Sequence, residues 1–171
     1  MAKYDATTKE KKCIFCEIAK GNIQPLKGGK YWENEKYVAW LSPFPNTEGF
    51  TVLITKKHYG SDVLQMPDEE LKDFIVEAKK ISKHLIEKLE DVGRVGLIME
   101  GTGIDHAHIK LVPLHGTEYM KKGEWKQIHS SLNAYFEKYS DYGYICSNDG
   151  PEANEANIKK LAEEIKLHSG Q

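Results

Sequence analysis

The sequence predicts an α+β fold: an antiparallel meander sheet of about five strands, one long helix packed across it, and a helical C-terminal extension. The first observation behind this prediction is a helical periodicity, in which apolar side chains recur every three or four positions between Pro67 and Asp91. The second is the order of the segments along the chain, which runs helix, strands, long helix, strands, helices. That order favours an antiparallel sheet with the helices set apart from it.

The elements before the long helix are short. Residues 13–19 carry a small apolar stripe at helical spacing, and Gly21 is placed to end that helix. Residues 30–41 predict a hairpin, and the β-rich run 50–54 predicts a buried strand. The long helix then begins with three acidic residues in its first turn, where the helix dipole favours negative charge.

Two further strands are predicted after the long helix, at 94–99 and 106–113, joined by a glycine-bearing turn over 100–105. If that turn is tight, the two strands pair antiparallel. Beyond residue 116 the pattern predicts a helix over 128–139, a short strand over 142–146 and a C-terminal helix over 158–165.

Length and composition narrow the classes of protein to which this chain can belong. It has 171 residues and a net charge of −2, which fits one domain with a real core and gives no basic field for nucleic acid. Its apolar runs are too short to span a bilayer, and the polar N-terminal residues do not form a secretory signal. With three cysteines, an odd number, we expect a reducing, cytoplasmic setting rather than a disulfide framework.

One polar row carries most of the functional information. His106, His108 and Lys110 alternate with apolar residues, so in a strand they share one face while the residues between them pack into the core. Two imidazoles beside an ammonium group form a plausible site to hold a phosphate and attack it. The alternative is an exposed strand whose polar face simply meets water. Since Arg94 is the only arginine, an anion site here must use lysine, histidine, main-chain N–H groups or metal.

The polar row is one of three segments that resemble the histidine triad (HIT) superfamily. The other two are an upstream Cys-Ile-Phe-Cys-Glu-Ile segment beginning at Cys13 and a Thr-Val-Leu-Ile-Thr-Lys-Lys-His segment ending at His58. The predicted elements also follow the order found in that family. The resemblance implies a HIT-like catalytic domain over residues 13–116, after a flexible tail at 1–12 and before a C-terminal extension at 117–171 packed on the same domain.

The resemblance also implies an activity. Members of the family are hydrolases or transferases that act on the α-phosphate of nucleotides through the middle histidine, which is His108 here. That residue is expected to form a covalent nucleotidyl-imidazole with a nucleoside phosphate ester, anhydride or phosphoramidate, and Lys110 is expected to donate to the phosphate. Two alternatives stay open: a nucleotide-binding or regulatory protein without catalysis, and a nucleotidyl transferase.

In zinc-bearing branches of the family, four residues at matching positions bind a structural zinc ion. Here those positions hold Cys13, Cys16, His58 and His106, two thiols and two imidazoles that suit tetrahedral zinc. The alternatives are two ordinary, partly buried thiols, because zinc-free members exist, or a redox Cys-x-x-Cys pair. The redox interpretation is weaker because the βαβ context it needs is absent.

The resemblance places a further set of residues at the substrate. Phe15, Ile18 and Trp40 match positions that line the base pocket, although plain core packing explains them equally well; the ribose position is filled by Ser42, and the glycine-bearing turn contributes Gly101 and Gly103.

Four residues depart from the family pattern. Lys110 replaces the third histidine, Ser42 stands where many members place an acidic residue on the ribose, Met99 replaces a frequent asparagine, and Asp105 is expected to repel phosphate if it faces inward. Family members usually pair through the long helix and an edge strand, so we also expect a homodimer that takes a nucleotide or nucleotide conjugate as substrate.

Overall fold

A computed structural model describes residues 7–127 and 150–166 of the chain. Within those residues, an antiparallel sheet of five strands runs in the spatial order β1-β2-β3-β5-β4. The strands are β1 Lys30–Glu33, β2 Tyr37–Leu41, β3 Thr51–Thr55, β4 Arg94–Ile98 and β5 His108–Leu114. The predicted α+β architecture is therefore confirmed, and β5 lies inside the sheet between β3 and β4.

The alternation of side chains along the strands divides the sheet into two packed faces. On one face Leu53 and Ile109 lie in the main core, where both side chains are fully buried. On the other face Trp40 and Ile54 form a smaller core with residues of the N-terminal helix. Because β5 pairs with β3 in a register that sets His108 beside Ile54, the nucleophile candidate lies on this second face.

The long helix α2, Asp68–Lys88, covers the main-core face of the sheet. It buries the stripe formed by Phe74, Ala78, Ile81 and Leu85, which lie three or four residues apart. Beyond its C-terminal end, the side chain of Lys121 donates to the carbonyl oxygens of Leu89 and Glu90, where a cation also suits the helix dipole. The predicted helix is confirmed, with slightly narrower bounds than 67–91.

The short helix α1, Ile14–Ala19, packs on the opposite face of the sheet against β3. Gly21 follows it with a φ of +78°, a left-handed conformation in which glycine carries no steric penalty. Just before α1, Thr7 forms a β-bridge with Cys13, so the described part of the predicted N-terminal tail lies against the start of the helix.

The C-terminal helix α3, Glu155–Glu164, contacts β1 and β2 together with a 3₁₀ turn at Leu26–Gly28. Two more 3₁₀ turns lie at Val63–Gln65 and Glu118–Lys122. The imidazole Nε2 of His84, on α2, hydrogen-bonds the main-chain carbonyl of Ile165 at the end of α3. The predicted helix over 128–139 and strand over 142–146 lie outside the described residues.

Two sequence interpretations need correction at this level. The position of His84 in the sequence of the long helix predicts a residue of the helix surface or of a dimer face, but the end of α3 covers it and leaves it 7% exposed. His106 does not belong to β5, which begins at His108, and the connection from β4 is a nine-residue loop over 99–107 rather than a tight turn. Among the described residues, no helix is long and apolar enough to cross a membrane.

Candidate active site and metal-ligand cluster

His108 is held in one tautomer by the main chain. Its Nδ1 lies 2.7 Å from the carbonyl oxygen of His106, and a carbonyl can only accept, so Nδ1 must carry the proton. In the neutral ring the lone pair is then on Nε2, which has no hydrogen-bond partner among the described residues. A neutral imidazole with a lone pair directed away from its anchor has the form required of a nucleophile.

The surroundings of His108 keep its ring neutral and fixed. The side chain is 4% exposed, and this burial lowers its pKa although the hydrogen bond to the His106 carbonyl acts in the opposite direction. The ring of Phe15, on α1, meets the imidazole edge to face at a centroid distance of 5.8 Å. Phe15 makes the same kind of contact with His106, also at 5.8 Å, so a single aromatic ring packs against both histidines.

His106 is held in the opposite tautomer. Its Nε2 lies 2.8 Å from the main-chain carbonyl of Thr55, at the end of β3, and therefore carries the proton. The lone pair is left on Nδ1, and burial lowers the pKa of this imidazole as well. A histidine that donates one N–H to a carbonyl and presents its other nitrogen is the usual arrangement of a metal ligand.

Three donor atoms lie close to the Nδ1 of His106 and form a cluster of four with it. The Sγ atoms of Cys13 and Cys16 both lie 3.5 Å from it, and Nδ1 of His58 lies 3.2 Å from it. The Sγ of Cys16 is also 3.3 Å from Nδ1 of His58, and all four atoms lie within 4.8 Å of one another. The four residues that the sequence named as ligands are thus brought together.

The spacing of these donors fits a tetrahedral zinc ion. With metal–nitrogen bonds near 2.05 Å and metal–sulfur bonds near 2.3 Å, a tetrahedron sets two nitrogens about 3.3 Å apart and a nitrogen and a sulfur about 3.6 Å apart. The set is closed, since it supplies four protein ligands and no open position. Burial and the neighbouring Cys13 thiol raise the pKa of Cys16 to about 11, so without a cation the Cys16 thiol resists ionisation.

Lys110 lies on the same face of β5 as His108 and forms an ion pair that the sequence did not reveal. Its ammonium contacts the carboxylate of Glu100, and the two side chains are only 9% and 11% exposed. Of the lysines among the described residues, Lys110 alone is buried. The predicted phosphate donor is therefore present at the site, but a carboxylate already binds it.

The residues predicted to line a base pocket lie on the same face as the histidines. Trp40 packs edge to face on Phe15 at 5.2 Å, and both residues belong to the smaller core together with Ile18. Ser42 follows β2 and is 1% exposed, and its hydroxyl oxygen accepts a hydrogen bond from the main-chain N–H of Phe44. These positions are compatible with either a pocket wall or core packing.

The glycine-bearing loop between β4 and β5 has one tightly fixed position. Gly101 has a φ of +66°, and a Cβ there would come within 2.9 Å of the Ser61 carbonyl oxygen, so this position beside Glu100 requires glycine. Gly103, with a φ of +88°, faces open space. The carboxylate of Asp105 accepts a hydrogen bond from the main-chain N–H of Ser61.

Few residue patterns in the sequence indicate the partners that orient these side chains. Thr55 orients His106 through its main-chain carbonyl group. Every residue has such a group, so the residue type does not predict this contact. Glu100 had one usable signal: Ile98 pairs with Lys110 in the sheet, so a residue two positions further along can reach the lysine. His115 is engaged at both nitrogens, by the Asp91 carboxylate and the Glu48 carbonyl, each at 3.0 Å.

With this geometry established, comparisons with known proteins identify the family. The model of the HIT domain matches residues 27–117, more than half of the chain. The chain belongs to the HIT family. Its fold, with five antiparallel strands and the helices packed on them, is that of this family.

Named relatives and a solved structure agree with this assignment. The chain is 34% identical over 125 residues to an uncharacterised HIT-like protein from Methanocaldococcus jannaschii, covering 68% of this chain and 91% of that protein. It is 33% identical over 111 residues to an adenosine 5'-monophosphoramidase from Candida albicans, covering 59% and 69% of the two chains. A zinc-bound histidine triad family protein from Mycobacterium smegmatis superposes with a TM-score of 0.54 at 17% identity, covering 88% and 96%.

Proposed function

We propose that this HIT-family protein is a nucleotide hydrolase that acts at the α-phosphate through a covalent nucleotidyl intermediate on His108. The observation that carries the proposal is the tautomer of His108, whose proton is fixed on Nδ1 by the His106 carbonyl and whose Nε2 is left as the nucleophilic atom. Substrates are nucleoside phosphate esters, anhydrides or phosphoramidates. The fungal relative named as a phosphoramidase supports hydrolysis in general terms.

The reaction proceeds in two displacements at phosphorus. In the first, the Nε2 lone pair of His108 forms a bond to the α-phosphorus, and the bonding pair to the leaving oxygen or nitrogen departs with the leaving group. The imidazolium that results keeps its Nδ1–H on the His106 carbonyl, where a hydrogen bond to a charged donor is strengthened. In the second, water attacks phosphorus and the electron pair of the P–N bond returns to Nε2. Water releases one proton to solvent in this step, which balances the proton that the leaving group takes up from solvent in the first.

The neighbouring residues bind and orient the nucleotide in this proposal. Lys110 donates to a non-bridging oxygen and stabilises the charge that develops there. The base packs against Phe15, Ile18 and Trp40, Ser42 bonds the ribose, and the loop with Gly101 and Gly103 gives the main chain close access to the phosphate.

We further propose that Cys13, Cys16, His58 and His106 hold a structural zinc ion. A bound zinc would stabilise the thiolates and cross-link α1, the segment after β3 and the segment before β5. His106 precedes the nucleophile by two residues, so this cross-link fixes the backbone that carries the hydrogen bond to His108. Free thiols are needed for such a site, which suits a reducing compartment such as the cytoplasm.

A second candidate function is a nucleotide-binding protein without turnover, and the Lys110–Glu100 ion pair favours it. A lysine already bound by a carboxylate stabilises a transition state less than a free cation does. Such a protein binds nucleotides but forms no covalent adduct, so the two candidates differ in one observable. A nucleotidyl transferase shares the adduct and is separated from a hydrolase by its products with candidate acceptors.

We also propose a homodimer formed through β4 and α2. In the part of the chain that the structure describes, β4 is the last strand of the sheet, so its outer edge offers main-chain groups for pairing with a second copy. Leu97 on β4 and Ile75 and Val76 on α2 are exposed apolar side chains that such a contact would cover. Sedimentation or light scattering at several concentrations tests this proposal, and a monomer at all of them contradicts it.

The decisive experiment is intact-mass measurement after rapid mixing with adenylated and guanylated compounds. We expect a gain of one nucleoside monophosphate in the wild-type protein and none in His108→Ala. The matched control is His115→Ala, a histidine whose two nitrogens are both engaged outside the site, and it should form the adduct normally. Turnover by His108→Ala, or an adduct on another residue, would refute the assignment.

A further inference from the structure

The ion pair between Lys110 and Glu100 brings a positive and a negative charge together beside His108. We propose that Glu100 is a specificity-determining residue that confines the attraction of Lys110 to the nearest phosphate, so that additional phosphates on a ligand gain no affinity. This inference rests on the proposed binding of a nucleotide phosphate at His108 and Lys110. It concerns the choice among ligands rather than the chemistry at phosphorus.

The Glu100 carboxylate is in direct contact with the Lys110 ammonium, and both side chains are largely withdrawn from water. An ammonium has three N–H donors, so a phosphate oxygen can bind Lys110 while Glu100 stays in place. Two acceptors at about 2.8 Å from one tetrahedral nitrogen lie about 4.5 Å apart, which fixes how close the bound oxygen comes to the carboxylate.

The effect of the Lys110–Glu100 pair on a charged group of the ligand depends on the distance of that group from the pair. The oxygen bound to Lys110 is nearer to the ammonium than to the carboxylate, so its net interaction is attractive. A charge further out on the ligand is at nearly equal distances from both groups, and their opposite contributions almost cancel. The cancellation matters because both charges are buried, where water screens them little. A second or third phosphate therefore gains nothing from Lys110.

The main chain holds Lys110 and Glu100 beside each other. Lys110 is fixed in β5 by pairing with Val52 on one side and Ile98 on the other. The residue after Glu100, Gly101, has a positive φ, and a Cβ there would meet the Ser61 carbonyl oxygen, so the loop backbone beside Glu100 is tightly specified. In this proposal a ligand therefore meets both charges together.

The test measures the affinity of the full-length protein for nucleoside mono-, di- and triphosphates, of adenosine and of guanosine, without added divalent cations. In the wild type we expect affinity to stay level or to fall as phosphates are added. Affinity that rises from the monophosphate to the triphosphate would overturn the inference. This measurement needs no variant, so it remains decisive if a substitution at the buried pair impairs folding.

The variant Glu100→Gln keeps the shape of the side chain and removes its charge. We expect it to raise the affinity for the triphosphate relative to the monophosphate by at least about tenfold. The matched control is Glu35→Gln, which removes the same charge from an exposed turn between β1 and β2 and should leave that ratio unchanged. An unchanged ratio in Glu100→Gln, or an equal change in the control, contradicts the inference.

Failure of this inference can be separated from failure of the proposed hydrolase. If nucleotides bind in the expected order but no adduct forms on His108, the inference stands and the covalent mechanism does not. If the adduct forms and Glu100→Gln leaves the preference unchanged, the mechanism stands and the role of Glu100 does not. If none of these nucleotides binds, both are wrong.

Discussion

His106 and His108 are two residues apart, yet the structure uses their rings in opposite ways. His106 donates from Nε2 to the carbonyl of Thr55 and presents Nδ1 to two thiols and another imidazole. His108 donates from Nδ1 to the carbonyl of His106 and leaves Nε2 without a partner among the described residues. The difference shows that the main-chain acceptor, rather than the residue type, decides which nitrogen is available and hence which chemistry a histidine can perform.

The largest expected effect is the loss of turnover when the His108 side chain is removed, a change that should leave the His106 cluster intact. His108→Ala should reduce turnover by at least about 1,000-fold, because the atom that bonds to phosphorus is lost. It should leave bound metal near that of the wild type, because none of the four proposed ligands has been changed. Steady-state assays beside metal analysis check this prediction, and loss of metal in His108→Ala would contradict the separation.

Removing the metal should mainly affect stability. A chelator, or the variant His106→Ala, is expected to lower the melting temperature by roughly 10 °C, because a four-ligand site contributes its binding free energy to folding. Thermal denaturation with and without chelator measures this change. If purified protein contains far less than one zinc per chain and its melting temperature does not respond to the chelator, the proposed zinc site is wrong.

Substitution of Phe15 tests whether the positions of His106 and His108 both depend on packing against this one aromatic ring. Its ring contacts both imidazoles, so Phe15→Ala should destabilise the fold by about 3 kcal/mol and loosen both sites. Phe15→Leu retains most of the apolar volume and should cost about 1 kcal/mol. Denaturant unfolding gives the stabilities, and the comparison fails if Phe15→Ala weakens metal retention while the rate of adduct formation stays at the wild-type value.

The smallest effect concerns His115, whose raised pKa contrasts with the lowered pKa values of both site histidines. Partial burial opposes the charged form, but hydrogen bonds to the Glu48 carbonyl and the Asp91 carboxylate raise the pKa of His115 above its usual 6.5. The same contact lowers the pKa of Asp91 below its usual 3.8. The raised pKa stabilises the fold at pH below 6.5 and the lowered pKa stabilises it at pH above 3.8, so the contribution is largest between these values.

Substitution of His115 should therefore lower the melting temperature most near pH 5 and least above pH 8, by no more than about 2 °C because the pair is partly exposed. Melting curves of wild type and His115→Asn across this range check the prediction. A difference that grows with rising pH would show that the sign of the coupling is wrong.

The sequence predicted the architecture well and the orientations at the site poorly. The periodicity of α2, the β-rich run of β3 and the alternation in β5 are local signals, and the structure confirms all three elements. The convergence of the two thiols with His58 and His106 was predicted by resemblance to the family, and the structure brings the four donors together. These features follow from local spacing or from a pattern of residue types.

Other features depend on where distant segments arrive. The tautomers of His106 and His108 depend on carbonyl groups, which every residue carries and no pattern distinguishes. Glu100 reaches Lys110 only because the loop after β4 turns at Gly101, and His84 is covered only because α3 packs over it. Such contacts are set by tertiary packing, which local sequence does not encode.

The hydrogen bond that orients His108 ends on a peptide carbonyl, and this has an evolutionary consequence. Any residue at position 106 supplies the same carbonyl, so the proposed nucleophile does not require its neighbour to be a histidine. A lineage that lost the proposed metal site through substitutions at positions 13, 16, 58 and 106 would still inherit the main-chain acceptor that sets the tautomer of His108. Under this proposal, metal binding and catalysis can therefore diverge independently along one short stretch of chain.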